Sequence, residues 1–522
     1  MGELKSDLAR GCELIETHIS WVFLHGQTVI KVKKPVSLGF LDFSTLDQRR
    51  QACEQEYVLN QRLSRDVYLD VVPITLDADG THRVDGSGAI VDYAVRMRRL
   101  DDAHRADVLL RKGQLRRDHM HRLATRLASF HAGAERSAAI DSFGSLACIR
   151  QNVLENFAQA QGLNACCISQ QQEREIENRQ LGFLEQHRDL FEQRIRAGRI
   201  CDGHGDLRLE HIYLAANSLD IIDCIEFNER FRYADVCADL TFLVMDLAHQ
   251  GRADLAEDLL ADYAQCSGDY DLYALADFYT GYRAYVRAKV ASFLASDEQA
   301  GADARAAAEH NARGYYLHAL SAQREPLTAP MLIAVGGLIA SGKSHTSRQL
   351  SHLLHCPAVD TDRTRKHLLG VGFETRVDAA AFSEAYGQEF TARVYAEVLR
   401  RAEAVLNSRR SVIIDATFRS AAERGAARQL ATRLGLPFCF IECQAPRGIA
   451  LQRLQERARA PSVSDARVDI YDEFARTWEP VTELDPAQWL TLDTSLDQSG
   501  IEAILRERFA PDGPQLHPGA GA

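Results

Sequence analysis

The chain has 522 residues, 46% hydrophobic and 26% charged, with a formal net charge of −12, a composition that excludes global disorder and fibrous classes and allows two to four globular domains. No run approaches ~18 apolar residues, which excludes an ordinary transmembrane helix, and the polar residues 1–11 read as no secretory signal, so a cytoplasmic, membrane-free protein is expected. With 61 basic against 73 acidic residues, a main role in coating nucleic acid is disfavoured.

Residues 1–100 read as a small β-rich lobe with one helix. Segments 21–24 and 28–32 predict a hairpin around His25-Gly26, 47–63 a helix, and 71–74 and 90–97 further strands. From 105 to about 196 the pattern is helical, with 173–196 as one long charged helix. Short strands and tight loops fill 201–225, and helices resume to 322. Residues 323–330, with two prolines, form the expected linker. Beyond it, apolar strands at 331–335, 358–360, 411–415 and 437–442 alternate with helices, predicting an α/β domain with a largely parallel sheet over 331–510. The Pro- and Gly-rich tail 511–522 is expected to be disordered. The twelve cysteines include no Cys-x-x-Cys and read as reduced packing thiols.

Gly337-Leu338-Ile339-Ala340-Ser341-Gly342-Lys343-Ser344 matches the phosphate-binding pattern G-x-x-x-x-G-K-[ST] in full, between a predicted strand and a predicted helix. Its backbone N–H groups suit a β-phosphate, Lys343 the β/γ-phosphates, and the Ser344 hydroxyl Mg²⁺. Asp415 ends the next strand but one and is expected near Mg²⁺. Arg453 and Arg457, four apart, share a helix face suited to closing over a transferring phosphoryl group.

This region resembles the small P-loop kinases of the polynucleotide-kinase, zeta-toxin and chloramphenicol-phosphotransferase group. The resemblance implies an Asp that takes the acceptor hydroxyl's proton and an Arg three residues on. Asp362 with Arg365 fits that spacing, and so does Asp360 with Arg363. Asp362 is preferred because its run continues into a helix.

A second constellation is His204-Gly205-Asp206-Leu207-Arg208-Leu209-Glu210-His211-Ile212 followed by Ile221-Ile222-Asp223. One carboxylate on a tight loop and another about 17 residues on suit phosphoryl transfer, with Asp206 orienting the acceptor hydroxyl and Asp223 holding Mg²⁺. These residues resemble the aminoglycoside-phosphotransferase and choline-kinase group, relatives of protein kinases, over roughly 21–322. The resemblance implies Lys31 as the phosphate-binding lysine, with Lys33 on the same strand face as an alternative, and Glu56 as its ion-pair partner. It also places a second metal ligand five residues after Asp206, where the group carries Asn and this chain carries His211.

The expected fold is therefore an α+β bilobal kinase-like domain at 1–322 followed by an α/β P-loop domain. The expected function is a bifunctional phosphotransferase using ATP and Mg²⁺ on hydroxyl acceptors, chiefly small molecules. The alternatives are a polynucleotide 5′-hydroxyl kinase, and a nucleotide-sensing regulatory protein in which one module is a pseudokinase.

Overall fold

The computed structural model describes residues 2–37, 41–298, 300–321, 326–373, 375, 385–457 and 471–509. The tail at 511–522 and the start of the linker lie outside them. Two compact units form: the described residues of Met1–Gly251 with Phe278–Ala322, and those of Arg252–Asp277 with Gln323–Ala522. Residues 252–277 thus join the second unit, although in sequence they fall inside the helical run that ends at 322.

The first unit opens with six strands, β1 (Glu13–Glu16), β2 (Ser20–His25), β3 (Thr28–Lys33), β4 (Tyr68–Leu76), β5 (His82–Val84) and β6 (Ala89–Arg98). They form an antiparallel sheet in the order β1-β2-β3-β6-β4-β5. The hairpin joining β2 to β3 pairs Val22 with Lys31 and Trp21 with Val32, so the apolar positions alternate between two faces. Phe23, Ile30, Val32 and Ile74 bury one face against Leu4 and Leu8 of the helix Gly2–Leu8. On the other face Val29, Val95 and Met97 pack with Cys53 of the helix Leu46–Asn60. A capping box between Thr45 and Gln48 starts that helix.

The helical part of this unit surrounds the helix Val236–His249, whose residues 236–247 are all buried. The single helix expected over 173–196 is two, Gln170–Gln186 and Arg188–Arg196, because His187 leaves helical geometry (φ −118°, ψ 31°). Short strands β7 (Ile200–Asp202), β8 (Ile212–Leu214), β9 (Leu219–Ile221) and β10 (Tyr233–Asp235) frame the loops between them; β7 pairs with β10 and β8 with β9.

The second unit is built on five parallel strands, β11 (Leu332–Gly337), β12 (Ala358–Asp360), β13 (Val412–Asp415), β14 (Phe438–Gln444) and β15 (Trp489–Asp493), in the order β12-β13-β11-β14-β15. Its core joins Ile333, Val335, Ile413 and Ile441 to Leu350 and Leu354 of the helix Lys343–Leu354 and to Ile501 and Leu505 of the helix Gln498–Phe509. β15 is a strand that the sequence pattern does not announce.

The helix Ala253–Ser267 and the turn after it are fastened to this sheet by polar contacts. Buried Arg410 donates to Glu257 at 2.7 Å and to Asp277 at 2.8 Å. His355 Nδ1 lies 2.8 Å from Asp258, and Tyr270 Oη donates to the carbonyl of Ala358 on β12 at 2.7 Å. A buried guanidinium stripped of its carboxylates is costly, and so are buried carboxylates without it. Arg410→Ala is therefore expected to lower the unfolding free energy of the second unit by about 3–5 kcal/mol. Urea denaturation followed by far-UV circular dichroism reads this; an unchanged midpoint would mean the contact adds nothing.

Candidate phosphate-binding sites

In the first unit, the pleat of β3 points Lys31 and Lys33 to one side, where both reach Glu56. Lys31 Nζ lies 2.7 Å from Glu56 Oε1, and Lys33 Nζ lies 2.5 Å from Oε2. Lys31 also reaches Asp223 Oδ1 at 2.6 Å, and Lys33 pairs with Glu226. Burial alone would lower the lysines' pKa values, but Asp223, Glu226 and Glu56 outweigh it and hold both ammonium groups charged well beyond the usual range. The carboxylates diverge. Burial pushes Glu226 up, whereas Lys31 overcomes burial and holds Asp223 far below the usual carboxylate range. Asp223 sits at φ +65°, a conformation a non-glycine residue adopts at a cost, with its N–H donated to Tyr68 Oη at 3.1 Å.

The Asp206 loop leaves β7 and is held from behind. Asp239, on the helix Val236–His249, accepts from the N–H groups of His204 and Gly205, each at 2.8 Å, and from His131 Nε2 at 3.1 Å. Gly205 has φ +88°, and a Cβ there would lie 2.9 Å from the carbonyl of Phe231. Buried His204 donates Nε2–H to the Ile222 carbonyl at 3.0 Å and accepts the Asp206 N–H on Nδ1 at 3.2 Å. Burial pushes its pKa down to about 4, so it braces the loop as a neutral ring.

Both Asp206 oxygens accept from one guanidinium, Arg208 Nε at 2.9 Å and Nη2 at 3.0 Å. Burial opposes ionisation of Asp206, but Arg208 first, and Arg287 after it, hold its pKa low. His211 joins the two acids: Nδ1 lies 2.9 Å from the Asp206 carbonyl, and Nε2 lies 3.5 Å from Asp223 Oδ2. Five residues singled out by sequence, Lys31, Glu56, Asp206, His211 and Asp223, thus meet in one place. Lys33, the alternative to Lys31 in the sequence reading, is instead paired with Glu56 and Glu226, and Arg208 carries no role in that reading. The only signal for Arg208 is its position two residues after Asp206.

In the second unit, β11 runs into the loop Gly337–Gly342 and the helix Lys343–Leu354 leaves it. Gly337 has φ +139°, and a Cβ on it would meet the Cys443 carbonyl at 2.3 Å, which fixes glycine there. Leu338, Ile339 and Ala340 turn their side chains into an apolar cluster with Ala450 and Leu454, leaving their backbone for a ligand. Lys343 Nζ curls over the loop onto the carbonyls of Gly337 and Leu338 at 3.0 and 2.8 Å. Ser341 Oγ is buried without a hydrogen-bond partner among the described residues, and Ser344 is exposed.

Parallel register sets Asp415 beside Val335 of β11 and beside Asp360 of β12. Burial pushes the Asp360 pKa up to about 7 against the pull of Arg363, with repulsion from Asp415 and Asp362 adding to it. The three acids therefore share one field at the strand ends, next to the loop. Asp360 also caps the helix Thr361–Leu368, accepting from the Arg363 N–H at 2.6 Å; Asp362 lies in that helix's first turn.

Arg365, in the same helix, packs against the chain at 385–386. It is buried, donates to the Ala385 carbonyl and stacks 4.4 Å from the Tyr386 ring centroid. Arg453 donates to the carbonyls of Ala340 at 3.2 Å and Thr494 at 2.6 Å, so it braces the loop's underside. The side chain of Arg457 lies outside the described residues. The exposed Ser344 hydroxyl and the Asp415 carboxylate are hard oxygen donors that fit Mg²⁺.

A P-loop opening a helix beside a five-stranded parallel sheet, and a Lys–Glu–Asp cluster against a braced Asp206 loop, place the chain among the kinase-type phosphotransferases. The family model described as an AAA domain matches residues 332–481. The uncharacterized protein Rv2004c of Mycobacterium tuberculosis (strain H37Rv) is 34% identical over 478 residues, covering 90% of this chain and 92% of that one. The uncharacterized protein Mb2027c of Mycobacterium bovis matches to the same extent. The chain belongs to the family of these proteins. Solved structures also align. A choline kinase from Cryptosporidium parvum covers 62% of this chain and 93% of its own at 11% identity and a TM-score of 0.37. A gluconokinase from Sinorhizobium meliloti covers 35% and 91% at 17% identity and a TM-score of 0.26. No helix among the described residues is long and apolar enough to cross a membrane.

The buried neutral His204 has a consequence for stability. Its pKa of about 4 lies below the ordinary 6.5, so between those values the unfolded chain binds a proton that the folded one refuses. Stability is then lost as pH falls from 6.5 towards 4, by on the order of 3 kcal/mol for this group. His204→Gln keeps a donor for the Ile222 carbonyl and cannot titrate. Its urea midpoint is expected to fall less between pH 7 and 4.5 than that of the wild type; parallel pH profiles would remove His204 as the cause.

Proposed function

We propose that the chain is a bifunctional ATP-dependent phosphotransferase, moving the γ-phosphoryl group of ATP to hydroxyl acceptors at two sites. The observation that carries this reading is the unbroken run of contacts Glu56–Lys31–Asp223–His211–Asp206. It joins a phosphate-seeking cation, through the backbone carbonyl of Asp206, to the residue whose carboxylate would receive a hydroxyl proton.

In the first unit Lys31, positioned by Glu56, contacts the ATP phosphates, Asp223 and His211 hold the metal, and Asp206 orients and deprotonates the acceptor. In the second unit the backbone of Gly337–Ser344 cradles the β-phosphate while Lys343 exchanges its two loop carbonyls for phosphate oxygens. Ser344 and Asp415 hold Mg²⁺, and Asp362, with Asp360 as the alternative, takes the acceptor proton. Arg453 keeps the loop in shape, and Arg457 with Arg365 completes the acceptor side. Mg²⁺ supplies neutralisation of the charge that builds on the phosphoryl oxygens. Small-molecule alcohols fit an acidic chain better than long polynucleotides do.

A second reading has one specific observation behind it. Arg208 occupies both Asp206 oxygens, as it would in a unit that senses nucleotide without transferring phosphate.

Turnover of ATP across pooled aminoglycosides, small alcohols, sugars, nucleosides and 5′-hydroxyl oligonucleotides separates the readings. Asp206→Asn is expected to lose one phosphorylated product by about 10²–10⁴-fold, and Lys343→Ala a different one by a similar factor. Transfer that survives Asp206→Asn in full would leave the first unit a sensor. Absence of any phosphorylated product would overturn the reading.

A further inference from the structure

We propose that the first unit selects a first-row transition cation, of the kind that accepts an imidazole nitrogen, in preference to Mg²⁺, through His211 Nε2 and Asp223 Oδ2. This inference rests on the reading of that unit as a nucleotide site and names the cation it takes.

Three features of the site lead to it. First, His211 is held in one tautomer. Nδ1 lies 2.9 Å from the Asp206 backbone carbonyl, which can only accept, so Nδ1 carries the proton. Arg208 Nη2 lies 3.2 Å from Nε2 and can only donate, so Nε2 presents its lone pair. A ring nitrogen oriented by a carbonyl behind it is the usual arrangement of a metal-binding histidine.

Second, that lone pair faces another. Nε2 lies 3.5 Å from Asp223 Oδ2, the carboxylate oxygen that Lys31 does not hold, on a side chain 42% exposed. Neighbouring ligands in octahedral coordination with bonds of ~2.1 Å sit ~3 Å apart, so a small closure brings both atoms onto one ion. Arg208 meanwhile stands beside Nε2 as the positive charge that two facing acceptors require.

Third, the other carboxylates around the pair are engaged: Glu210, whose Oε1 lies 3.9 Å from His211 Nε2, pairs with Arg208, and Asp206 accepts from Arg208 through both oxygens. Glu226 is three residues past Asp223, but its carboxylate is buried and paired with Lys33. The cation position is therefore served by one carboxylate oxygen and one imidazole nitrogen, with phosphate oxygens and water to complete it. Mg²⁺ takes oxygen ligands and dehydrates reluctantly, whereas affinity for nitrogen rises from Mn²⁺ along the first transition row. Mn²⁺, at the weak end of that row, is the strictest probe.

The test uses the full chain carrying Lys343→Ala and Ser344→Ala, which silences the second phosphate site, with Mn²⁺ and ADP. Electron spin-echo envelope modulation is expected to show directly bound ¹⁴N, converted to ¹⁵N coupling when the protein's histidines are ¹⁵N-labelled. His211→Asn is expected to abolish the coupling and to shrink the preference for Mn²⁺ over Mg²⁺ in nucleotide-dependent metal binding by about tenfold or more. Mn²⁺ bound with ADP but showing no histidine nitrogen would overturn the inference and leave the nucleotide site standing. No Mn²⁺–ADP binding in this background would overturn both.

Discussion

Two lysines and three carboxylates occupy one desolvated space in the first unit, and much of the N-terminal lobe is organised around keeping them paired. Lys31 and Lys33 stand two apart on β3, so the strand's pleat alone puts both on one side. Glu56, with no exposed surface, receives both, and Glu226 and Asp223 take the remaining ammonium contacts. Removing one partner from such a cluster leaves a buried charge uncompensated, at a cost of about 3–5 kcal/mol. The helix Leu46–Asn60, the central strand β3 and the loop after β9 are thereby fixed to one another by the same groups that would meet ATP. The outer two carboxylates diverge, burial raising the pKa of Glu226 while Lys31 holds that of Asp223 far below the usual range.

The second unit solves the same chemical problem by another route. Its phosphate site is mostly backbone: glycines at φ +139° and φ +94°, apolar side chains turned inward, and a helix beginning where the loop ends. Charge enters from the strand ends, where parallel register brings Asp360 and Asp415 level with the strand that feeds the loop. A parallel sheet with helical crossovers delivers its loops to one edge, so acids 55 residues apart in sequence become neighbours without any ion pair between them. Thr494 closes the loop from below, accepting from Arg453 and donating to the Ser341 carbonyl at 2.6 Å.

These two constructions differ in how much of them sequence exposes. A backbone site needs glycines at fixed offsets, so Gly337–Ser344 and its flanking strand and helix are plain in the sequence. Lys31, Glu56, Asp206 and Asp223 are legible through spacing and order. Arg208 is not, because nothing in a linear reading says that its guanidinium turns back onto a carboxylate two residues away. The same holds for Arg453, whose helical spacing suits a substrate face equally well, and for Arg365, singled out by its place three residues after Asp362, because their partners Thr494 and Tyr386 are fixed only by tertiary packing. β1, β5 and β15 escape because edge strands of three to five residues carry too little alternation to stand out.

Residues 252–277 show why sequence continuity is a poor guide to physical grouping here. Nothing breaks the helical pattern around them, yet Glu257 and Asp277 give their charge to Arg410, more than 130 positions away. Tyr270 reaches the carbonyl of Ala358, two residues before Asp360. The polypeptide therefore passes from one unit to the other at 251–252, returns at 277–278 and leaves again near 322. A segment so placed cannot unfold without releasing a buried arginine in the second unit and pulling on both covalent junctions with the first. The strand that presents Asp360 is thus supported by residues that belong, in sequence, to the other half of the chain. Loss of order in 252–277 would act directly on the acids beside the phosphate loop.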